Sequence, residues 1–333
     1  MSTGSRATTI AEVARQAGVS PATVSRVMNG RFLGEPRVEK HVRSVAEQLN
    51  YWPNFRARSF ALGKTNTVAF LVPDLSNPAF HAALTGLSTA AADDAYRALV
   101  ADSVESPDDE RLLATELRGR CDALVLCAPR MDEDELVRVT QELAPVVLMN
   151  RSSTRVTAPI IAVDSHAGIE RLARHLYELG HRRIAYLEGP AGVANASRLK
   201  GLADFTLSAP DAEIVRVAGG AGSRDGVDAA AAVMASDVTA VLAFNDLVAI
   251  GLIHALVGRG IRVPEDISVT GFDDIDFAEF MSPALTTVSV PHEELGVLVW
   301  ERMRALIEGE TPKHDVLFQP RLEVRGSTAA PRA

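Results

Sequence analysis

The sequence is poor in the features that mark membrane and secreted proteins. Its 333 residues include two cysteines, Cys121 and Cys127, too few for a disulfide scaffold, and a reduced thiol pair is the expectation. No apolar run reaches the roughly 18 residues that a membrane span needs. The first twenty residues, MSTGSRATTIAEVARQAGVS, carry charges where a secretory leader needs an apolar core, so the expected location is the cytoplasm. Catalytic signatures are missing too. There is no G-x-S-x-G, P-loop or H-E-x-x-H, and the eight histidines fall at no metal-ligand spacing. His175 and His181 flank a predicted helix end and read as surface or cap residues. Gly220-x-Gly222-x-x-x-Gly226 resembles a dinucleotide loop, yet no acidic residue ends a well-placed next strand as that motif requires. These absences argue against an enzyme, and neither metal nor cofactor is expected.

What is present is an ordinary globular composition, 47% hydrophobic and 23% charged, in a chain long enough for two or three domains. The net charge of −9 is unevenly placed. Residues 1–64 hold ten Lys or Arg against four Asp or Glu, whereas the remaining 269 hold 24 basic and 39 acidic residues. A basic module on an acidic body is the electrostatic footprint of a phosphate-binding head.

That module begins with a helix signal. Thr9 is a good N-cap and Glu12, three residues on, completes a capping box. Ile10, Val13, Ala14 and Ala17 share one face, and Gly18 suits the left-handed conformation that ends the helix. Ser20 then caps a second helix with Pro21 at its first position, and Val24, Val27 and Met28 form its inner side. Two short helices joined by a Gly-containing turn make a helix-turn-helix, whose second helix enters the major groove. Residues 36–50 read as a third helix with Val38, Val42, Val45 and Leu49 inward.

From Thr67 onward short β-branched runs alternate with amphipathic segments. Strands are expected at 68–72, 98–101, 123–126 and 146–149, with helices near 80–92, 107–118 and 132–142. Further strands are expected at 184–187, 213–217, 240–244 and 268–272. The helix over 166–179 shows its period in Ile169, Leu172, Ala173, Leu176 and Leu179. Alternating units of this length imply parallel sheets covered on both faces, and some 260 residues suggest two lobes. The fold class is therefore α/β, with an all-α helix-turn-helix head. Ligands bind such sheets beyond the carboxyl ends of the strands, where Asp74, Asn77, Arg130, Asn150 and Arg151 stand in the first lobe and Arg198, Asn245 and Asp273 in the second. Asn77 and Asn245 also fit helix capping.

The run Thr9–Gly30 (TIAEVARQAGVSPATVSRVMNG) and the segment Tyr51-Trp-Pro-Asn-Phe-Arg-Ala-Arg58 resemble the signature of the lactose/galactose-repressor (LacI/GalR) family. The resemblance continues through Ser76-Asn-Pro78, the stretch from His175 to Ile184, Asn245-Asp246, Val263-Pro264, the stretch from Ser268 to Asp274, and Leu285-Thr-Thr287. It implies a transcriptional regulator, with a periplasmic-binding-protein-like body, that binds operator DNA as a homodimer under control of a small-molecule effector. Pro21, Ala22 and Arg26 would face base edges, Arg26 bridging a guanine, while Thr23 and Ser25 lie near the backbone. Thr9, Ser20, Asn29, Tyr51 and Asn54 complete the DNA-contacting set. Arg56 and Arg58 would meet phosphates. Phe60, standing where the family usually has Leu, would wedge the minor groove from a hinge helix.

The family's effector positions fall on Arg198, Asn245 and Asp273, and Phe80 and Cys127 join the expected lining. The family's third-helix start is replaced by Gly34-Glu35-Pro36-Arg37-Val38-Glu39. Asn150 stands where Asp is frequent, Val290 where Gln is sometimes found, and no aromatic lies near Ala221-Gly222. Residues 202–213 look shortened. The expected division is a head over 1–53, a hinge over 54–65 and a body over 66–325. Its first lobe would take 66–162 plus 276–290 and its second 163–275 plus 291–325. An extracytoplasmic solute-binding protein would share the body but would need a leader and no basic head. Control by a partner protein is a further alternative. With no heptad segment at the end of the chain, a dimer is expected rather than a tetramer.

Overall fold

Thr9 and Glu12 open the first helix as their spacing predicts. The Thr9 amide donates to Glu12 Oε2 at 2.7 Å and the Glu12 amide to Thr9 Oγ1 at 3.4 Å, which closes the capping box on α1 (Ile10–Ala17). Gly18 follows at φ 67°, where a side chain would be strained. Ser20 Oγ accepts the Thr23 amide at 3.1 Å and starts α2 (Pro21–Met28). With α3 (Pro36–Gln48) these helices enclose Val13, Ala14, Val24, Val27, Val42 and Val45. Arg43, held by Glu39, donates at 3.1 Å to the Val27 carbonyl, which also accepts the Gly30 amide at the end of α2.

This computed structural model describes residues 8–28, 30–52 and 63–332, and the chain divides into two compact units, Met1–Thr65 and Asn66–Ala333. Asn29, Asn54, Arg56, Arg58 and Phe60, with most of the expected hinge, lie outside the described residues.

The second unit carries two parallel sheets. The first is built from β1 (Thr67–Val72), β2 (Arg97–Asp102), β3 (Ala123–Cys127), β4 (Val146–Met149), β5 (Ile160–Val163) and β11 (Val316–Phe318), in the order β11-β5-β4-β3-β1-β2. The other has the order β7-β6-β8-β9, from β6 (Arg183–Glu188), β7 (Glu213–Ala218), β8 (Ala240–Leu242) and β9 (Ser268–Thr270). The inner strands are buried on both faces. Val68, Phe70 and Val72 pack with Leu87, Val299 and Trp300, while Ala69 and Leu71 pack with Leu117 and Leu136. In the second lobe Ile184 and Tyr186 meet Leu172 and Phe205, and Ala185 and Leu187 meet Val233 and Leu252.

The return segments are the reverse of those expected. Ala278 and Leu285 belong to the second lobe's core. After β10 (Thr287–Ser289), α12 (His292–Glu308) instead packs on α4 (Pro78–Asp93) of the first lobe, and β11 extends that lobe's sheet beside β5. β12 (Arg321–Glu323) pairs antiparallel with β10. The body also continues past 325. The Val269 amide donates to the Ser327 carbonyl at 2.9 Å, and Arg332 bridges Asp266 at 2.7 Å. Three-residue strands carry no readable period, so only the pairing reveals which lobe owns them.

Candidate functional site

In both sheets the strand order reverses at the first strand, between β1 and β3 and between β6 and β8. The crevice outside such switch points is where open α/β sheets hold ligands. A cleft with about 690 Å³ of space, its open mouth included, lies there. The segments after β1, β3, β4 and β5 bring Asp74, Asn77, Arg130 and Asn150 from loops and Phe80 and Ser165 from the first turn of the following helices. Those after β6, β7, β8 and β9 bring Ala221, Phe244, Asn245, Phe272 and Asp273 from loops and Arg198 from the helix after β6. Val290 and His292 close it from the last crossover.

Several of these groups are already committed to the fold. Asn77 Oδ1 accepts the Ala79 amide at 2.9 Å and caps α4. Asn245 Oδ1 caps α10 (Asp246–Val257) through the Val248 amide at 2.9 Å, while its Nδ2 donates to the Ala221 carbonyl at 2.8 Å. Asp74 Oδ1 accepts the Ser76 amide at 2.7 Å. Arg130 is closed bidentately by Glu105, at 2.5 and 2.8 Å.

The rest are poised. Arg198, 5% exposed, stacks on Phe272 and Phe244 with its guanidinium carbon 3.8 and 4.3 Å from the ring centroids. Its Nη1 donates to the Phe244 carbonyl, and its Nε is buried without a partner. Asp273 sits at φ 109°. Burial pushes its carboxyl up to about 7 while the Arg198 charge pulls it down. Asn150 Oδ1 is a buried acceptor with no donor. His292, 7% exposed, has both ring nitrogens buried and unpartnered, with Nε2 3.8 Å from Asp273 Oδ1. Burial pulls it down to about 4, so the ring is neutral near pH 7.

Two expected lining residues lie elsewhere. Cys127 points into the core, where burial pushes its thiol up to about 12. Arg151, 4% exposed, holds the loop beneath the cleft through the Pro129 and Met131 carbonyls and Glu133. Glu105 and His292 were not expected. Glu105 lies in a turn with no motif, and His292 follows a proline with no local signal to mark it. His181 is also misplaced by the sequence reading. It is 1% exposed and bonds Thr239, Ser268 and the Ala329 carbonyl. The glycine loop after β7 is filled from within, because Asp225 Oδ2 accepts the Ala221 and Gly222 amides that a phosphate would need.

On the head, Ser20, Pro21, Ala22 and Arg26 are exposed together at and along α2, with Thr23 and Ser25 half-buried beside them. Thr9 is exposed at the start of α1, and Tyr51 is half-buried against the head's core. No helix among the described residues is long and apolar enough to cross a membrane.

Residues 9–54 match the model of bacterial regulatory proteins of the lacI family, and 173–328 that of a periplasmic binding protein-like domain. The chain is 33% identical to the HTH-type transcriptional regulator GalR of Escherichia coli (strain K12), covering 97% of this chain and 96% of GalR. It is 30% identical to catabolite control protein A of Priestia megaterium, covering 96% and 99%. Among solved structures, a Lac repressor dimer bound to operator and the anti-inducer ONPF matches with a TM-score of 0.83 at 25% identity, over 98% of this chain and 100% of that one. A complex of the transcriptional regulator CelR with cellobiose matches with a TM-score of 0.70 at 29% identity, over 96% and 99%. The helix-turn-helix head, the two-lobed body and these relationships agree: the chain belongs to the lacI family of bacterial transcriptional regulators.

Proposed function

We propose that this protein is a repressor that binds a pseudo-palindromic operator as a homodimer, and that a sugar or related metabolite held between its two lobes sets the affinity. The head takes 1–53, the hinge and linker segment 54–65, and the effector-binding, dimer-forming body starts at 66. Arg26 reads a guanine from the exposed face of α2. Arg198, Asp273 and Asn150 are the principal effector contacts, with Phe80 supplying apolar surface and Asp74, Asn77, Arg130 and Asn245 shaping the rim.

The observation that carries this reading is the set of buried, unpartnered polar atoms on Arg198, Asn150 and His292 around one cleft. Burying a polar atom without a partner is costly, and a ligand that supplies the partners removes that cost. The same molecule carries a head of helix-turn-helix form. The test is operator binding by Arg198→Ala and Asp273→Ala. Both variants should hold DNA like the parent chain yet lose the response to effector. Loss of folding in both, seen by circular dichroism, would assign the pair a structural role instead.

A further inference from the structure

The chain crosses between the lobes at β10 and again at β12, and these two strands are paired. Arg325 stands just beyond β12. Its Nη2 donates to Asp274 Oδ1 at 2.6 Å, its Nη1 to the Leu285 carbonyl at 2.9 Å, and its amide to Thr286 Oγ1 at 3.0 Å. The ion pair is largely covered, with Arg325 20% and Asp274 18% exposed. From Asp274 to Leu285 the chain makes an excursion through the short helix Asp276–Phe280. Arg325 closes that excursion at its base.

The turn held in this way carries Asp273, which lines the cleft 3.8 Å from His292 of the first lobe. Asp273 at φ 109° and Asp274 at φ 59° are consecutive residues of positive φ, and neither is glycine. The first lies outside the narrow left-handed well open to side chains. Such a backbone persists only where its surroundings hold it on several sides. The Asp273 amide donates to the Val288 carbonyl of β10 at 3.1 Å, and the Ile275 amide to Asp246 Oδ2 at 2.9 Å. Arg325 takes the side chain between them. Its own backbone is fixed by the fully buried Ser327, whose Oγ accepts the Thr286 amide at 2.8 Å and donates to the Val269 carbonyl at 2.6 Å.

We propose that Arg325 is a positioning residue for the effector: by clamping Asp274 to the crossing strands, it fixes where the Asp273 carboxylate stands in the cleft. This rests on the proposal that the cleft is the effector site. Arg325 lies outside the cleft lining and acts through the turn. A planar guanidinium meets a carboxylate and a carbonyl at once, whereas an ammonium is a single point charge. Because the same fork holds Leu285 at the entry to β10, Asp273 is set by the crossing between the lobes as well as by its own loop.

Hydrogen exchange on the full chain, read by mass spectrometry, tests the clamp without a ligand. Arg325→Met should speed exchange about tenfold or more in peptides over 271–276 and 284–289, and leave β1 and β3 unchanged. Asp274→Asn should loosen the same peptides, and the double variant should be no worse than Arg325→Met, because both remove one shared bond. Arg325→Lys should recover part of the protection. Calorimetry with galactose, ribose or cellobiose, whichever raises the melting temperature most, then reads the cleft. Arg325→Met should weaken its Kd by about tenfold or more, and Arg325→Lys by less. Exchange that quickens throughout the body would make Arg325 a general stabiliser and overturn the inference. So would unchanged exchange, or faster exchange of the turn with an unchanged Kd. Should none of the three sugars bind the parent chain, the sugar reading of the cleft fails by itself, and the exchange cycle decides whether Arg325 holds the turn.

Discussion

The Thr287 hydroxyl donates to Asp246 Oδ1 at 2.6 Å, and the Ile275 amide donates to Oδ2 at 2.9 Å. One fully buried carboxyl at the start of α10 thus grips both the loop after Asp273 and the strand that leads to the first lobe. Burial, and then the neighbouring Asp273 charge, push that carboxyl well above the usual range. Asp246→Ala would strand two buried donors and should cost about 2–5 kcal/mol in urea unfolding. Asp246→Asn keeps an acceptor and should cost less. Equal stability of the Ala variant and the parent would show that these bonds do not brace the crossover.

Stability should depend on pH through His292. Its folded value, about 4, lies below the ordinary 6.5, so the unfolded chain binds the extra proton between them. The His292 contribution is full above pH 6.5 and fades as pH falls towards 4. Asp273, raised from 3.8 to about 7, has the opposite sign. Its contribution is full below 3.8 and is lost as pH rises through 7. His292→Gln removes only the first slope. The stability gap between parent and variant should therefore grow from pH 4 to 6.5, by up to about 3 kcal/mol. Thermal unfolding across that window measures it, and a constant gap would mean that His292 titrates normally.

The contact of α4 with α12 depends on missing side chains. A Cβ on Gly86 would stand 1.9 Å from the Glu293 carbonyl oxygen, and one on Gly296 2.0 Å from that of Ala83. Both clashes are with backbone, so Gly86→Ala or Gly296→Ala must part the helices, at about 1–3 kcal/mol. Because α12 begins at His292 and α4 carries Phe80, effector affinity should fall with stability. Unfolding in denaturant and calorimetry report the two effects, and an unshifted midpoint would refute the close packing.

Local signals were the legible part of this molecule. Thr9, Glu12, Gly18, Ser20 and Asn245 each cap where their chemistry indicates, and the β-branched runs became strands within one or two residues at most ends. Long-range pairing was not legible. β11 joins β5 across some 155 residues, as the Ile160 amide to Asp315 contact shows, and nothing local in Val316–Phe318 announces it. Side-chain direction was hidden for the same reason. Cys127 ends a strand at the cleft yet alternates inward, Arg151 turns beneath its loop, and His292 carries no local signal until the crossover places it.

At the head, Arg26→Ala should weaken binding to the specific site by about 1–3 kcal/mol while nonspecific binding changes little. Fluorescence anisotropy with operator and scrambled duplexes separates the two. Equal loss on both would place Arg26 on phosphates instead of a base.

Sequence-specific DNA recognition by a two-fold dimer can be put to selection from a random duplex pool. One pseudo-palindromic sequence should be enriched, bound by two 35.6 kDa chains in light scattering. A pool that shows no enrichment, or a lone half-site held tightly by a monomer, would contradict it.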